Sequence, residues 1–354
     1  MNRLKNIILN MSLVITFFVV TTLCFLICTI CSLLFYHHYF QKTVFNENKE
    51  FFVTHDDYNL FKNDLYILIG QGENINPIEH FFLDYFLEQK RLQSWFEKGV
   101  VHGRYVLTTD LSVNMLINKL RVGDRDPIDV TFNSMHSIHD VFGVVGVQLQ
   151  IDSLDLEHYI KVNNISIETL CLIPNTYNLY WNISEEDFFH TMNKECDEFW
   201  ASNNNFIKAE NLSPLDVMII ASIVEKEARH IDEMPRISGL YLNRLKRGIK
   251  LEADPTIHYC RSQNGQERKE RLREKHLKIK CPYNTYQILG LPPSPICVPS
   301  LQAIKSVLES EKHNFIYMCA QPNYSGYHNF ATSYRQHKRN ANKLYKFYAK
   351  EGIR

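Results

Sequence analysis

Residues 213–230 read SPLDVMIIASIVEKEARH, and this stretch predicts the helix around which the fold is organised. Ser213 suits an N-cap, Pro214 the first helical position, and Asp216 the third position, where an acid reaches back to the cap. At about 100° per residue, one arc of this helix carries the apolar side chains Val217, Ile220, Ile223 and Val224. Glu227 lies in the middle of that arc. The sequence therefore predicts a buried helix with one carboxylate on its apolar face.

A carboxylate on an apolar face has to be paired, protonated or placed in a lined cavity, because bare burial of the ion is expensive. Desolvation raises the pKa of a carboxyl group, and a general acid needs a raised pKa to hold its proton near neutral pH. Glu227 is therefore a candidate general acid. The alternative is a structural ion pair, for which Arg244 is a possible partner.

Ser222 and Lys226 of the same helix suggest a second reading, a Ser/Lys dyad. The spacing here is S-x-x-x-K, whereas the β-lactamase type has S-x-x-K. On the helical wheel Ser222 also points about 140° away from Glu227. Both observations disfavour the dyad.

The N-terminal part carries an uncharged apolar stretch at residues 7–36, IILNMSLVITFFVVTTLCFLICTICSLLFY. A helix needs about 20 apolar residues to cross a bilayer core, and this stretch is longer than that. A cleaved signal peptide is the alternative, but its apolar core is about 7–15 residues and ends at small residues. Here the run ends in Leu33, Leu34, Phe35 and Tyr36, which favours an uncleaved transmembrane anchor.

Flanking charges predict the orientation of this anchor. Arg3, Lys5 and the terminal amine precede it, whereas Lys42 and Lys49 follow among acidic residues. The positive-inside rule then places residues 1–6 in the cytoplasm as a short tail and the remainder outside. We expect a single-pass protein of the bacterial inner (cytoplasmic) membrane, with its N-terminus cytoplasmic and its main part extracytoplasmic.

Composition excludes several classes of protein. The 354 residues allow about two domains plus an appendage. Hydrophobic residues make up 45% and charged residues 22%, which excludes wholesale disorder, and a mean hydropathy of −0.25 excludes a polytopic transporter. The net charge of zero gives no overall attraction to nucleic acid. A basic stretch at residues 267–280 is better explained as a solvated face, because nucleic-acid binding conflicts with export.

Patterning beyond the anchor predicts an α+β fold. Amphipathic helices are expected within residues 76–99, a strand near GRYVL, a helix in LSVNMLINKLRVG that stops at Gly123, and a strand in IDVTF. From about Leu154 a second unit follows, with a long polar helix in EEDFFHTMNKECDEFWAS. The chain shows no internal repeat.

Nine cysteines are present, three of them in the apolar stretch. The other six show no C-x-x-C spacing, which disfavours a zinc knuckle or a thioredoxin-like site. We expect most of the six to be small buried hydrophobic side chains. Export would allow some pairing, and Cys260 with Cys281 is the best candidate pair.

Several separated blocks, in the same order, resemble the YceG-like family of endolytic murein transglycosylases. The central block is residues 221–259, ASIVEKEARHIDEMPRISGLYLNRLKRGIKLEADPTIHY. The others are LIPNTYNLYW before it and CPYNTY, GLPPSPI, SLQAI and GYHNFATSYRQHKRN after it. The segment GRYVLTTDLSVNMLINKL is similar to the family's LysM-like subdomain. The resemblance covers almost all of the chain that follows the anchor.

This resemblance implies an organisation and a chemistry. It implies a transmembrane helix at 7–36, a LysM-like α+β region at 37–150 and a catalytic domain at 151–354. The catalytic acid of the family is the second glutamate of an E-K-E triplet, and the matching residue here is Glu227. The family's reaction cuts the glycan after N-acetylmuramic acid without water and leaves a 1,6-anhydro end. The chain departs from the family at Ala228, His258, Cys260 and Ser294, where other residue types are frequent.

Other residues in the matching blocks are weaker candidates for the site. Asp254 is a candidate helper, or else a turn or cap residue before Pro255. The residues expected to contact the glycan are Asp254, Tyr283, Asn284, Thr285, Tyr286 and His328. Asn243 and Arg244 are expected to brace the catalytic helix and less so to bind glycan. No spacing of His and Cys suggests a metal site, and no cofactor is expected.

The implied function is that of a lytic transglycosylase, a lyase that cleaves nascent peptidoglycan strands endolytically. Peptidoglycan synthases are the expected protein partners, and no binding to nucleic acid is expected. A murein hydrolase that uses water is the alternative among enzymes, and it needs a second carboxylate. A noncatalytic peptidoglycan-binding scaffold is the alternative outside enzymes.

Overall fold

The computed structural model describes residues 2–37, 45, 47–70, 85, 92–96, 101–167, 170–266 and 272–352. The chain divides into two compact units. The first comprises residues 1–128 and 180–182, and the second comprises 129–179 and 183–354. The fold is of the mixed α+β class that the patterning predicts, with helices around three small two-stranded sheets in the described residues.

The first unit begins with the long helix α1, Asn2–Tyr36. Its segment Leu13–Tyr36 is 24 residues long and apolar enough to cross a membrane, and most of its side chains are exposed. Hydroxyl groups of this segment donate to carbonyl groups one turn earlier, as Thr22 does to Phe18 and Ser32 to Cys28. Such bonds satisfy the few polar side chains of an apolar helix internally. A candidate transmembrane helix is therefore present where the sequence predicts one.

The rest of the first unit is a two-stranded antiparallel sheet with helices. In it, β1 pairs with β2 so that Phe51 faces Tyr105. The side chains of Tyr105, Leu107 and Leu116 are fully buried in its core. Its elements are β1 (Lys49–Val53), α2 (Tyr58–Gly70), α3 (Leu92–Phe96), β2 (Gly103–Leu107) and α4 (Val113–Val122).

Glycine ends α4 as predicted. Gly123 adopts a φ of +72°, and its amide donates to the carbonyl group of Leu120, which closes the last turn. A Cβ atom at this position would lie 2.5 Å from the side chain of Val101, so a larger residue would not fit. The strand near GRYVL and the helix after it are thus confirmed. Most of the helical region expected at 76–99 lies outside the described residues.

The second unit begins earlier in the chain than the domain boundary expected at residue 150. The reason is that β3 pairs with β4, which lies beyond that boundary. The helices between these strands pack with them in the same unit. The elements up to residue 210 are β3 (Ile128–Phe132), α5 (Ile138–Gln148), α6 (Ser153–Val162), β4 (Asn175–Leu179), α7 (Glu185–Ser202) and α8 (Asn204–Glu210).

The centre of the second unit is α9, Pro214–Glu227, which packs against the three helices α10, α11 and α13. Val217, Ile220, Ile223 and Val224 are all fully buried, as the wheel predicts. Its partners and the remaining elements are a 3-10 turn (Ile231–Glu233), α10 (Met234–Lys246), α11 (Asp254–Gln263), α12 (Glu274–Leu277), α13 (Leu301–Leu308), β5 (Tyr317–Ala320), β6 (His328–Ala331) and α14 (Tyr334–Lys350).

The start of α9 is specified as the sequence predicts. The Ser213 hydroxyl accepts from the Asp216 amide, and the Asp216 carboxylate accepts from the Ser213 amide at 2.7 Å. Pro214 follows the cap as the first helical residue. Burial extends further around the helix than one stripe, because Ile219, Ala221 and Ser222 are also buried.

Two disulfides cross-link the second unit. Cys260 pairs with Cys281, as expected, and this bond joins α11 to the loop before Tyr283. Cys171 pairs with Cys196, which the sequence did not indicate. The expectation that most of the six cysteines are unpaired hydrophobic side chains is therefore wrong, since only Cys297 and Cys319 among them keep the thiol form.

Candidate active site

Glu227 is the last residue of α9. The helix ends there because Ala228 turns into an extended conformation, with φ −77° and ψ 134°. Residues 219–224 of the helix are buried, whereas Glu227 and the two residues before it keep part of their surface exposed. The end of a largely buried helix thus carries a carboxyl group on a side chain that is only partly exposed.

Burial raises the pKa of Glu227 to about 7, from an ordinary value of 4.5. The negative charge of Asp254 raises this pKa further, and His328 opposes the rise. Among the described residues, none makes a hydrogen bond or an ion pair with the Glu227 carboxyl group. Near neutral pH this group therefore holds and releases a proton with similar ease.

Arg244 is occupied by other partners, so the alternative of a Glu227–Arg244 ion pair is not what the structure contains. Its guanidinium donates to the carbonyl groups of Lys250 and Ile316, each at 2.7 Å, and forms an ion pair with Glu252. It also lies over the ring of Tyr317. Arg244 joins the end of α10 to the start of β5, which is a bracing role.

Asn243 braces the same junction. Its side-chain amide donates to the carbonyl group of His313 at 2.7 Å and to that of Phe315 at 3.1 Å. Both bonds tie α10 to the segment that leads into β5. This geometry favours the bracing role over glycan contact for Asn243 and Arg244 alike.

Ser222 does not form a dyad with Lys226. Its side chain is fully buried, and its hydroxyl group donates to the Ile219 carbonyl at 2.8 Å and accepts from the Ile296 amide at 3.0 Å. The hydroxyl group is thus used to hold the loop at residues 294–299 against α9. Lys226 is left without this partner.

Asp254 is the first residue of α11 and binds Tyr286. The Tyr286 hydroxyl donates to Asp254 Oδ1 at 2.6 Å. Burial, followed by the charge of Asp254, raises the pKa of Tyr286, so the phenol stays protonated as the donor. Asp254 also acts electrostatically on Glu227, which makes it a neighbour of the acid and more than a turn residue before Pro255.

The three residues before Tyr286 have different surroundings. Tyr283 is half-buried, packs on the Tyr259 ring and shares a hydrogen bond of 2.7 Å with Ser294. Asn284 and Thr285 are fully buried. The Asn284 amide donates to two carbonyl groups of the preceding loop, and Thr285 Oγ1 accepts from the Ala253 amide. These bonds favour a supporting role for Asn284 and Thr285 over sugar contact.

His328 is held by an acid that the sequence analysis did not single out, Glu233. The His328 amide donates to Glu233 Oε1 at 2.8 Å, and His328 Nδ1 lies 2.7 Å from Glu233 Oε2. Glu233 is only 3% exposed. Because Nδ1 donates to this buried carboxylate, the tautomer and ring orientation of His328 are set. The arrangement places an oriented imidazole near the acid.

Further contacts join the segment after α9 to the β5–β6 hairpin. The His230 ring stacks on the Tyr327 ring at 3.9 Å, and Tyr327 donates to the Asp232 carboxylate. His230 Nε2 donates to the Ser325 carbonyl at 2.7 Å. This segment begins immediately after Glu227, so these contacts hold the chain that follows α9 against the hairpin.

Tyr241 of α10 is a second neighbour of Glu227 that the sequence analysis missed. It is 2% exposed, and burial followed by the charge of Glu227 raises its pKa well above 10. Its position on the buried face of a helix is typical of a core residue, so the sequence alone offered no signal. No group of three or more His, Cys, Asp or Glu side chains in the described part of the chain is arranged to hold a metal ion.

A sequence model of the YceG-like family matches residues 74–343, which include every residue of this site. The chain belongs to the YceG-like family. This confirms the resemblance that the motifs suggested. The match begins before β2 and ends within α14.

Individual relatives carry more specific names. The endolytic murein transglycosylase of Bacillus subtilis strain 168 is 30% identical over 153 residues, which are 43% of this chain and 41% of that protein. The endolytic murein transglycosylase of Streptococcus pneumoniae strain D39 is 31% identical over 172 residues, 48% of this chain and 31% of that protein. The matched segment thus spans less than half the length of either relative.

A crystal structure is also similar to this YceG-like chain. It is that of a YceG-like protein from Listeria monocytogenes, with a TM-score of 0.49 and 20% sequence identity. The alignment covers 83% of this chain and 99% of that one.

Proposed function

We propose that this YceG-like protein is an endolytic lytic transglycosylase that cleaves nascent peptidoglycan strands, with Glu227 as general acid and then general base. The observation that carries the proposal is the state of Glu227. Its side chain is partly exposed, has no direct partner among the described residues, and has a pKa raised to about 7 by burial. Family membership and the names of the relatives support the same reaction.

In the first step Glu227 donates its proton to the glycosidic oxygen that leaves from C1 of N-acetylmuramic acid. The C1–O bond breaks, and its electron pair goes to the leaving oxygen. The positive charge that develops at C1 is carried by an oxocarbenium-like species or by attack of the sugar's own N-acetyl oxygen. Glu227 is now a carboxylate.

In the second step the Glu227 carboxylate removes the proton from the C6 hydroxyl of the same sugar, and O6 closes onto C1. The product is a 1,6-anhydro end, no water is consumed, and Glu227 regains its proton. A pKa near 7 suits both steps, because neither proton transfer is strongly uphill near neutral pH.

His328 and Glu233 favour the state between the two steps, in which Glu227 is a carboxylate. His328 favours the charged form of Glu227 electrostatically, and Glu233 holds its ring by Nδ1. The imidazole therefore stabilises Glu227 in the interval in which it is a carboxylate. Tyr286 and Asp254, joined by a hydrogen bond, face the acid from α11 and its neighbouring loop, and we assign them and Tyr283 to the glycan contact surface.

Hydrolysis is a second candidate, and one observation favours it. Asp254 lies close enough to Glu227 to raise its pKa, so a second carboxylate is present at the site. Glycosidases that use water need such a pair of carboxyl groups. A murein hydrolase with Asp254 as its second carboxylate would release reducing ends in place of anhydro ends.

We further propose that the protein is anchored in the cytoplasmic membrane by α1, with the second unit outside the cell or in the periplasm, near the peptidoglycan synthases. Two disulfides in the second unit support export, because disulfides persist in oxidising compartments. Labelling of intact cells with a membrane-impermeant reagent tests this, using a single cysteine introduced at the exposed Lys305 with Cys319 replaced by serine. Labelling only after lysis would contradict the orientation.

Product analysis tests the proposed reaction. The full-length protein in detergent is incubated with nascent, uncross-linked glycan strands, and the ends are identified by mass spectrometry. We expect anhydro-muramic ends within strands. Reducing ends would support the hydrolase, and intact strands that remain bound would support a scaffold. Glu227→Gln should lower the rate of anhydro formation about 1,000-fold or more, since the amide cannot transfer the proton in either step.

Glu225→Gln is the matched control, because Glu225 belongs to the same E-K-E triplet. Its carboxylate accepts from the Ser300 hydroxyl at 2.6 Å and from the Ser300 amide, at the start of α13. This residue therefore supports packing and not chemistry, and we expect its variant to retain activity. Equal loss of activity in both variants, together with loss of fold, would refute the assignment of Glu227.

A further inference from the structure

A cavity of about 690 Å³ lies beside the proposed catalytic helix, within the second unit. Its wall includes side chains of α9 and α11, the loop at 294–299, the segment at 136–139, and Ile167, Leu170 and Leu172. Neither Glu227 nor Asp254 lines it. The volume falls in the range of sites that bind small molecules, about 300–1,000 Å³. The cavity therefore lies beside the acid and adjoins the proposed glycan contact surface, because Tyr283 is part of its wall.

Its position is nevertheless tied to the reaction. Lys226 lines the cavity and directly precedes Glu227, and Pro255 lines it and directly follows Asp254. Consecutive Cα atoms are about 3.8 Å apart, and consecutive helical side chains diverge by about 100°. A ligand in the cavity would therefore lie next to a sugar held at Glu227, on the neighbouring side of α9.

The basic residues that line the cavity in the described part of the chain are one lysine and three histidines. They are Lys226, His136, His139 and His258, and no aspartate or glutamate lines the cavity among the described residues. The Lys226 ammonium group makes no ion pair within the described ranges, and Ser222 is committed to backbone groups. An ammonium group at the wall of a cavity is complementary to a carboxylate.

Most of the remaining wall is apolar. It includes Ile167, Leu170, Leu172, Met218 and Ile296. Such a wall suits small aliphatic groups better than the hydroxyl groups of a sugar, which would lose hydrogen bonds to water there. The ligand that fits has aliphatic side chains and at least one carboxylate.

We infer that this cavity binds the carboxylate-bearing peptide attached to the muramic acid unit that Glu227 acts on, with a peptide carboxylate at Lys226. The inference rests on the proposed function, because murein strands carry such peptides on the lactyl group of muramic acid. These peptides combine alanine methyl groups with free carboxylates. An extended peptide spans about 3.3–3.6 Å per residue, so two or three residues reach from the sugar into the cavity.

The test compares two substrates for the full-length protein: strands that carry their peptides, and the same strands after an amidase has removed them. Stripping leaves a carboxylate on the lactyl group, so charge remains at the sugar ring but not at the end of a peptide. We expect kcat/KM to be about tenfold higher for the peptide-bearing strands, the lower end of what a hydrogen bond to a charged group contributes.

Variants locate the effect. Lys226→Met should reduce the ratio of the two kcat/KM values to near one, and His136→Glu, which adds an acid to the lining, should reduce it as well. Lys305→Met, at an exposed lysine of α13 outside the cavity, should leave the ratio unchanged. Equal cleavage of both substrates by the unmodified protein, or an unchanged ratio in Lys226→Met, would overturn the inference.

Binding measurements test this inference independently of the proposed reaction. Dissociation constants of both kinds of strand are measured with Glu227→Gln, which does not depend on cleavage. Preference for the peptide-bearing strands that Lys226→Met abolishes would support the cavity even if the unmodified protein cuts neither substrate, in which case only the proposed function fails. Equal affinity for both strands would overturn the inference whether or not the protein is a transglycosylase.

Discussion

Arg244 and Glu227 are both largely enclosed by the second unit, yet their surroundings differ. Arg244 is 5% exposed, donates to two carbonyl groups, pairs with Glu252 and lies over the Tyr317 ring. Glu227 has no such partner in the described part of the chain, and its pKa is raised to about 7. A buried charge that is fully paired supports the fold. An ionisable group that is enclosed and left without a partner weakens the fold and is free to exchange a proton.

The surroundings of Arg244 extend to the backbone near the site. Its partner Glu252 has a φ of +48°, an uncommon conformation for a residue other than glycine. The Glu252 amide donates to the Thr285 carbonyl at 3.2 Å. Arg244 and Thr285 together hold this conformation two residues before Asp254. The contacts of Arg244 and Thr285 thus help to position Asp254, which faces Glu227.

Removing Arg244, the paired cation, should have the largest effect on stability. Arg244→Met leaves two carbonyl groups without their charged donor and Glu252 without its partner, so we expect the free energy of unfolding to fall by about 3–5 kcal/mol. Thermal unfolding monitored by circular dichroism measures this. Arg247→Met, at an exposed position one turn on, should change stability by less than about 0.5 kcal/mol. Similar losses of stability in both variants would contradict the structural role assigned to the contacts of Arg244.

Neutralising Glu227 should change stability in the opposite direction, by raising the free energy of unfolding above neutral pH. The folded protein keeps this proton up to about pH 7, whereas the unfolded chain loses it near pH 4.5. The unmodified protein therefore loses stability as pH rises from about 4.5 to 7. Glu227→Gln has no proton to lose, so it should be more stable than the unmodified protein at pH 8, by at most about 3 kcal/mol, and of similar stability at pH 4.

Urea denaturation of both proteins at pH 4 and pH 8 measures this difference. Glu225→Gln serves as the control, because its carboxylate already accepts two hydrogen bonds from Ser300 and replacing it should yield no gain at pH 8. A Glu227→Gln protein that is less stable than the unmodified one at pH 8 would mean that the Glu227 carboxylate is well solvated or paired, contrary to the comparison with Arg244.

Local sequence rules accounted for α9 and for the place of Glu227 on it. The cap, the proline and the apolar arc lie within one segment, and their geometry depends only on helical periodicity and end effects. These features predicted the start of α9 and the position of Glu227 correctly. The candidate transmembrane helix was predictable for a similar reason, since its signal is the composition of a continuous run.

Features that depend on distant partners were not predictable in this way. Glu233 and His328 are 95 residues apart, and nothing in the sequence near either one indicates their pairing. The second disulfide joins Cys171 and Cys196 across β4, which itself pairs with a strand beyond α5 and α6. Burial of Asn284 and Thr285 likewise depends on how their loop packs on Ala253. Such contacts follow from tertiary packing, which periodicity does not encode.

The smallest effect should come from Asp254, which acts on Glu227 through charge. Its carboxylate raises the pKa of Glu227, so Asp254→Asn should lower that pKa and move the high-pH limb of the kcat/KM profile to lower pH. At pH 7.5 less of the enzyme then holds the catalytic proton, and activity should fall a few-fold. Tyr286→Phe removes the hydroxyl that binds Asp254 but keeps the charge, so the limb should stay in place. Loss of nearly all activity in Asp254→Asn, with an unchanged limb, would instead identify Asp254 as the second carboxylate of a hydrolase, because a group that only adjusts the pKa of the acid shifts the profile without stopping the reaction.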